Sequence, residues 1–424
     1  MFVGADRHEI EAAQLRLLRH LLAELIPANR FYSAKLAGID PEWGGLAEFS
    51  SRVPFTVKAE LVADQAANPP WGSNVTYPLD RYTRFAQTSG TTGKPLRWLD
   101  TPESWSWMLD NWTRVFHAAG VRPAARVFCA FSFGPFLGFW TAFEAAARMG
   151  CLCIPGGGMT SAARLAVMID AGADVLCCTP TYAIHLAEVA AAEGIELERS
   201  GVRTVIVAGE PGGSIPATRR RIEELWRGAR VVDHHGMTEV GPVSYECPAR
   251  PLVLHVIEPA FYPEVIAPAT GQPAGAGEMG ELVLTNLGRA GSPLLRYRTG
   301  DLVRPAPPGR CACGSAEMAL EGGIVGRADD MVVVRGVNVY PGAVEEIVRS
   351  CRGVAEYRVF VGERLSLTEV RIEVEPDAGT DAARLPHKLE AALRDALSLR
   401  IPVSLAASAL PRFEMKARRW KKEC

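Results

Sequence analysis

Between residues 126 and 233 short apolar runs alternate with helical stretches. The runs fall at 126–131, 151–154, 174–178, 203–208 and 229–233, and the helical stretches at 137–149, 161–171, 181–193 and 215–227. Strands alternating with helices of this length predict βα units and a mostly parallel sheet covered on both faces. Such sheets bind ligands at the C-terminal ends of their strands, so the loops there carry the chemistry. Thr101-Pro102-Glu103 supplies an N-cap, a first-turn proline and a first-turn acid for a helix running toward Gly120. A helical leader over 7–37 places Leu15, Leu18, Leu22 and Leu25 at helical spacing until Pro27 breaks it, and Val53–Lys58 reads as an extended entry into a short helix.

Further along, the texture changes. Short β-like runs at 263–266, 280–285 and 294–303 are separated by Gly and Pro, most densely over 271–277. From about 328 a small α+β unit follows: strand 331–334, helix 341–351, strands 355–361 and 367–375, helix 381–398 and a short strand near 402–405. The expected fold class is therefore α/β. A large N-terminal domain (1–327) has mostly parallel sheets covered by helices plus a β-rich subdomain at about 245–327, and a small mobile α+β C-terminal domain takes 328–424.

With 424 residues, 48% of them hydrophobic, a large core is available. A formal charge of −2 gives no electrostatic case for nucleic acid. Arg418-Arg419-Trp420-Lys421-Lys422 is the one basic tract, read as a solvated tail. The N-terminus lacks a secretory pattern, and the apolar run from Val127 to Trp140 is broken by Ser132, Gly134 and Pro135, so neither export nor a membrane span is expected. The expected compartment is the cytoplasm, where the ten cysteines stay reduced. Cys151, Cys153, Cys177 and Cys178 lie in apolar strands and read as core.

Thr88-Ser89-Gly90-Thr91-Thr92-Gly93-Lys94-Pro95 follows a strand-like Arg84–Gln87. Two glycines can turn backbone N–H groups onto an anion, the hydroxyls add donors and Lys94 adds charge, so the stretch reads as a polyphosphate cradle. P-loop spacing is not met, because the glycines are too close and Pro95 follows the lysine.

Four further loops then line up with this one: Gly236-Met237-Thr238-Glu239, Tyr297-Arg298-Thr299-Gly300-Asp301, Gly326-Arg327-Ala328-Asp329-Asp330 and a near-terminal Lys416. In this order they resemble the adenylate-forming acyl- and aryl-CoA ligase superfamily. Arg335–Pro341 and Phe261–Ile266 resemble its phenylacetate-CoA ligase branch. The resemblance spans 84–416 and implies ATP- and Mg2+-dependent activation of a carboxylic acid to an acyl adenylate, then transfer to CoA.

In such an enzyme catalysis is largely positioning and charge neutralisation. Thr238 would donate to a phosphate, Glu239 would hold Mg2+, Asp301 would accept from the ribose hydroxyls and Arg327 would bond ribose or phosphate. Lys416 would bridge nucleotide and substrate carboxylate. Gly209-Glu210-Pro211 resembles the adenine-facing loop, and His235 stands where the family usually stacks Tyr on adenine. Asp329 matches the hinge about which the C-terminal domain rotates, and Gly336 the pantetheine channel. A homodimer is expected by analogy alone.

Cys247, His255, Cys311 and Cys313 offer three thiolates and an imidazole, a set that satisfies tetrahedral Zn2+ in a closed structural site. Phe128, Phe131, Phe133, Phe136, Phe139 and Trp140 would suit an aryl or arylalkyl acid and would equally suit a plain core. The acceptor also stays open between CoA and a carrier thiol, a hydroxyl, or amine or nitrite chemistry. A nucleotide-binding regulator without turnover is disfavoured, since Lys94, Glu239, Asp301, Arg327 and Lys416 are all present.

Overall fold

The computed structural model describes residues 5–41, 43–88, 95–335, 337–364, 367–413 and 416–423. Ser89, Gly90, Thr91, Thr92, Gly93, Lys94 and Gly336 lie outside the described residues, as does the side chain of Phe139.

Helix α1 (Arg7–Ala28) opens on a capping box between Asp6 and Glu9 and ends one residue past Pro27. Its Leu18, Leu22 and Leu25 bury against Tyr32, Trp43 and Phe49. Three short helices, α2 (Arg30–Lys35), α3 (Leu46–Arg52) and α4 (Lys58–Ala67), complete the N-terminal layer. Strands β1 (Arg84–Gln87) and β2 (Arg97–Asp100) pair antiparallel on either side of the glycine loop. Helix α5 (Pro102–Ala118) follows, its Ser104 N–H capped by the Thr101 hydroxyl.

The alternation then delivers the expected layers. Strand β3 (Arg126–Cys129), helix α6 (Leu137–Arg148), β4 (Leu152–Pro155), α7 (Ser161–Asp170), β5 (Val175–Cys178), α8 (Pro180–Ala192), β6 (Thr204–Val207), α9 (Pro216–Leu225) and β7 (Arg230–Asp233) follow in turn. All five strands are parallel, in the order β4-β3-β5-β6-β7. Strand side chains alternate between faces. Val127, Val175, Ile206 and Val232 pack with Met108 and Val115 of α5 and Ala142 and Ala145 of α6. Their neighbours Phe128, Leu176, Val205 and Val231 pack with Leu165 of α7, Tyr182 of α8 and Ile222 of α9. Cys177 and Cys178 are core, but Cys151 and Cys153 are only half-buried, because β4 is an edge strand.

Beyond the sheet, β8 (Gly236–Met237) and β9 (Gly241–Pro242) form a tight hairpin. Strands β10 (Ser244–Glu246), β11 (Val253–Val256), β12 (Phe261–Ile266), β13 (Gly280–Asn286), β14 (Tyr297–Val303), β15 (Ala319–Glu321) and β16 (Gly326–Arg327) make two antiparallel sheets. Their orders are β10-β11-β15 and β12-β13-β14-β16.

The C-terminal segment has its own core. A hairpin of β17 (Val332–Val334) and β18 (Val337–Val339) precedes α10 (Pro341–Ser350), β19 (Val354–Arg364), β20 (Leu367–Pro376), α11 (Leu385–Leu397), β21 (Val403–Leu405) and β22 (Trp420–Lys422). Val344, Val348, Val359, Ile372, Leu389 and Leu393 form a cluster to which no residue before 332 contributes among the described residues.

The basic tail is solvated only in part: Arg418, Lys421 and Lys422 are exposed as expected, but Arg419 is not. Trp420–Lys422 pairs parallel with Val359–Val361 at the sheet edge. The Arg419 guanidinium is buried, donating to Glu356 at 2.7 and 3.0 Å and lying 3.5 Å from Glu345. A charge run reads as solvated when its partners are distant in sequence, and these lie far upstream. No helix among the described residues is long and apolar enough to cross a membrane.

Candidate active site

The centre is assembled where β7 runs out. Residues 238–240 form the turn of the β8–β9 hairpin, and Gly236 has no room for a side chain: a Cβ there would lie 2.9 Å from the Gly241 carbonyl oxygen. The turn is held from behind by Arg289, which donates to the carbonyls of Thr238 at 2.8 Å and Glu239 at 2.9 Å. The same guanidinium forks onto Asp100, both bonds at 2.7 Å, and both side chains are 0% exposed. Glu239 is buried, with its carboxylate 3.3 Å from Lys58 Nζ. None of Lys58, Asp100 and Arg289 stood out as a site residue in the sequence. Lys58 lay in the noted entry segment, whereas Arg289 carries no local signal, being a single arginine in a turn after β13.

A second group faces the hairpin. Asp301 in β14 accepts from Arg327 in β16 through Oδ1 at 3.0 Å, and its Oδ2 is 2.9 Å from His235 Nε2. Register sets this, since Asp301 and Arg327 are paired across the two strands. Arg327 also donates to both oxygens of Asp329, at 2.9 and 3.2 Å. Burial opposes the Arg327 charge, but Asp301 and Asp329 outweigh it and raise its pKa. The His235 imidazole is thus held by its edge on the carboxylate. Its buried Nδ1 has no partner among the described residues.

A third group comes from the C-terminal segment. Gly209 takes φ +93°, and a Cβ there would lie 3.6 Å from Lys416 Cε. Glu210 accepts from the Thr181 N–H at 2.9 Å with Oε1 and from the Ala417 N–H at 2.6 Å with Oε2. Burial lowers the pKa of the Lys416 ammonium, while Glu210, Glu239 and Asp301 pull it back up and Arg327 adds to the lowering. Five expected site residues therefore converge on one space: Glu239, Asp301, Arg327, Glu210 and Lys416.

The glycine loop has described feet. The Thr88 N–H donates to the Leu96 carbonyl at 2.9 Å, and the Thr88 hydroxyl accepts from the Leu96 N–H at 3.0 Å. The Gln87 N–H donates to the Pro135 carbonyl at 2.8 Å. This contact joins the loop to the aromatic segment after β3.

Those aromatics divide. Phe128 and Phe131 are buried in the core. Phe133 takes a left-handed φ of +47° and packs edge-on to Trp140 at 5.0 Å and Phe143 at 5.4 Å. Gly157 lies close beneath, where a Cβ would approach the Phe133 ring to 3.0 Å.

A family model for AMP-binding enzymes matches residues 79–289, and one for the AMP-binding enzyme C-terminal domain matches 336–422. Phenylacetate-coenzyme A ligase of Thermus thermophilus is 34% identical over 375 residues, 87% of this chain and 82% of that protein. The chain belongs to the AMP-binding enzymes. Within that family the phenylacetate-coenzyme A ligase of Escherichia coli is 30% identical, covering 97% of this chain and 94% of its own.

Solved structures sharpen the comparison. A 2-hydroxyisobutyryl-CoA ligase in its postadenylation state superposes on this AMP-binding enzyme with a TM-score of 0.93 at 28% identity, covering 99% of this chain and 90% of that one. The same ligase in its thioesterification state, with CoA, gives 0.75 at 29% identity, covering 99% and 91%. Identity and coverage barely change, so the two matches differ in arrangement. This AMP-binding enzyme is described in the arrangement of the first.

Away from this centre, Cys247, His255, Cys311 and Cys313 bring their ligand atoms within 4.8 Å of one another. Cys247 and Cys311 sulfurs are 3.6 Å apart, and Cys313 Sγ is 3.4 Å from His255 Nε2. His255 Nδ1 is 3.2 Å from the Glu317 carbonyl, the kind of outer contact that orients a ligating imidazole.

Because Arg289 holds the turn and Asp100 neutralises it, Asp100→Ala leaves a buried unpaired cation. Urea unfolding should show a loss of about 3–5 kcal/mol. An unchanged midpoint would mean that the pair is not what holds this region.

Proposed function

We propose that this AMP-binding enzyme uses ATP to activate a carboxylic acid, of aryl or arylalkyl type, and passes the acyl group to CoA. The convergence of Lys416, Glu239, Asp301 and Arg327 on one space is the observation that carries the reading. In the first step a carboxylate oxygen attacks the α-phosphorus of ATP, and the bond to pyrophosphate breaks. In the second, the CoA sulfur attacks the acyl carbon, its proton passes to water and AMP leaves with the bonding pair.

Each residue has a task set by its chemistry. Asp301 and Arg327 form a charged rim for the ribose, and the backbone at Gly209 faces the base. Thr238 and the loop begun by Thr88, with Lys94, cradle the phosphates. Lys416 places a cation where negative charge gathers as the carboxylate meets the phosphate. Glu239 fits Mg2+, being a buried hard-oxygen donor next in sequence to Thr238. When bound, the ion would neutralise phosphate charge. The hinge is assigned to Asp329, with the mobile lid beginning near Ala328.

Phe133, Trp140 and Phe143 offer aromatic faces to the acid at the loop that abuts the phosphate cradle. Relatives that act on phenylacetate support the aromatic assignment. The four-ligand cysteine and histidine cluster fits Zn2+ with every position filled by protein, so its role is structural. The nine described cysteines are all unpaired, in keeping with a cytoplasmic location.

The test is acid-dependent exchange of labelled pyrophosphate into ATP, without CoA, across aryl, arylalkyl and fatty acids. Exchange with arylacetic acids is expected, and no exchange with any acid would overturn the assignment. Lys416→Ala should cut exchange by roughly 100-fold or more while sparing thioester formation from supplied acyl adenylate. Metal analysis should find one zinc per chain. Cys311→Ser should lose the zinc and lower the melting temperature, whereas full stability without zinc would remove its structural role.

A further inference from the structure

Both oxygens of the Glu210 carboxylate are engaged within the chain. Its sequence context resembles an adenine-facing loop, yet both oxygens are taken by backbone N–H groups from distant parts of the chain. Oε1 accepts from Thr181, in the first turn of α8. N–H groups in that turn have no partner within the helix, and the helix end favours an anion. The neighbouring Tyr182 N–H is already capped by the Thr179 hydroxyl, which leaves Thr181 for Glu210. One oxygen of Glu210 is therefore held from within the large domain, independently of the C-terminal segment.

Oε2 then meets that segment at one atom, the Ala417 N–H at 2.6 Å, directly after Lys416. Gly209, the residue before Glu210, lies against the lysine stem itself. A lysine side chain is long and flexible, with about 2 kcal/mol of rotamer entropy to lose, so pinning its backbone removes much of the freedom that would let the ammonium miss its target. Other contacts across this interface bracket the lysine, Arg412 to Glu188 before it and Arg419 to the Thr181 hydroxyl at 3.5 Å after it, while Glu346 to the Ala217 N–H docks the segment farther off; among the described residues only the Glu210 bond reaches the residue next to Lys416.

We propose that Glu210 is the catch that seats Lys416. It is a positioning residue for acid activation, engaged in the arrangement described here and released when the C-terminal segment leaves for thioester formation. The proposal rests on the two-step reaction proposed above and adds a residue whose loss should affect one step alone. A residue that merely stabilised the fold would weaken both steps together.

The test compares Glu210→Ala and Glu210→Gln with the unaltered chain in three measurements. Pyrophosphate exchange, run with whichever acid the unaltered enzyme exchanges fastest, should fall roughly 10- to 100-fold in Glu210→Ala, the scale expected for a lost hydrogen bond to a charged group. Glu210→Gln keeps one acceptor oxygen but turns an N–H toward the second donor, so it should fall less. Thioester formation from the matching acyl adenylate and CoA should stay within about 3-fold of the unaltered rate for both variants, well under one hydrogen bond's worth. Hydrogen exchange, read on the nucleotide-free protein, should quicken in the peptide that contains Ala417 and stay unchanged in α8 beyond its first turn.

An equal fall in both steps would overturn the proposal, as would undiminished pyrophosphate exchange in Glu210→Ala. Unchanged hydrogen exchange at Ala417 would also overturn it. If the unaltered enzyme exchanges no acid, the two-step reading fails, while the Ala417 measurement still reports separately on whether Glu210 holds the segment.

Discussion

The buried ion pair between Arg289 and Asp100 is the interaction on which the catalytic arrangement depends. It joins three parts of the chain that share no sequence proximity: the strand leaving the glycine loop, the turn bearing Thr238 and Glu239, and the segment after β13. An isolated charge buried this deeply would be too costly, and the pair is tolerable because its bonds are satisfied. Asp100 takes two of the five N–H groups, and two more go to the two carbonyls of the turn. The position of Glu239 is thereby coupled to the strand that leaves the phosphate cradle.

The docked C-terminal segment builds on this base and is held differently. Its contacts with the large domain are mostly carboxylates meeting backbone N–H groups or half-buried guanidinium groups: Glu346 with Ala217, Arg412 with Glu188, Arg221 with Asp377. Pairs at that exposure are individually weak, typically below about 1 kcal/mol, which suits the opening proposed between the two steps. Inside the segment the reverse holds. Arg419 and Arg349 are buried against Glu345 and Glu356, which ties the unit together from within.

Much of this was legible in the sequence because residue type and spacing alone announce it. The βα alternation, the Thr101 cap and the Cys247, His255, Cys311 and Cys313 set each depend on residues whose types declare their role. What escaped depends on pairing across the chain. Nothing near Arg289 announces that it meets Asp100, and the tail around Arg419 looks solvated until Glu345 and Glu356 are brought beneath it. Edge position is equally invisible, which is why Cys151 and Cys153 looked like core. The loop containing Glu210 resembled a nucleotide contact, and nothing near it in sequence announces that its side chain also bonds the backbone of Thr181 and Ala417.

The central claim is that acid activation occurs in the docked arrangement described here and that thioester formation requires leaving it. Glu188 and Arg412 meet across the interface, so cysteines placed at these two positions and joined by a short bis-maleimide would lock the segment down. The locked enzyme should keep acid-dependent pyrophosphate exchange and lose acyl-CoA formation, with both behaving normally before cross-linking. Exchange abolished by the lock, or acyl-CoA formation surviving it, would contradict the account.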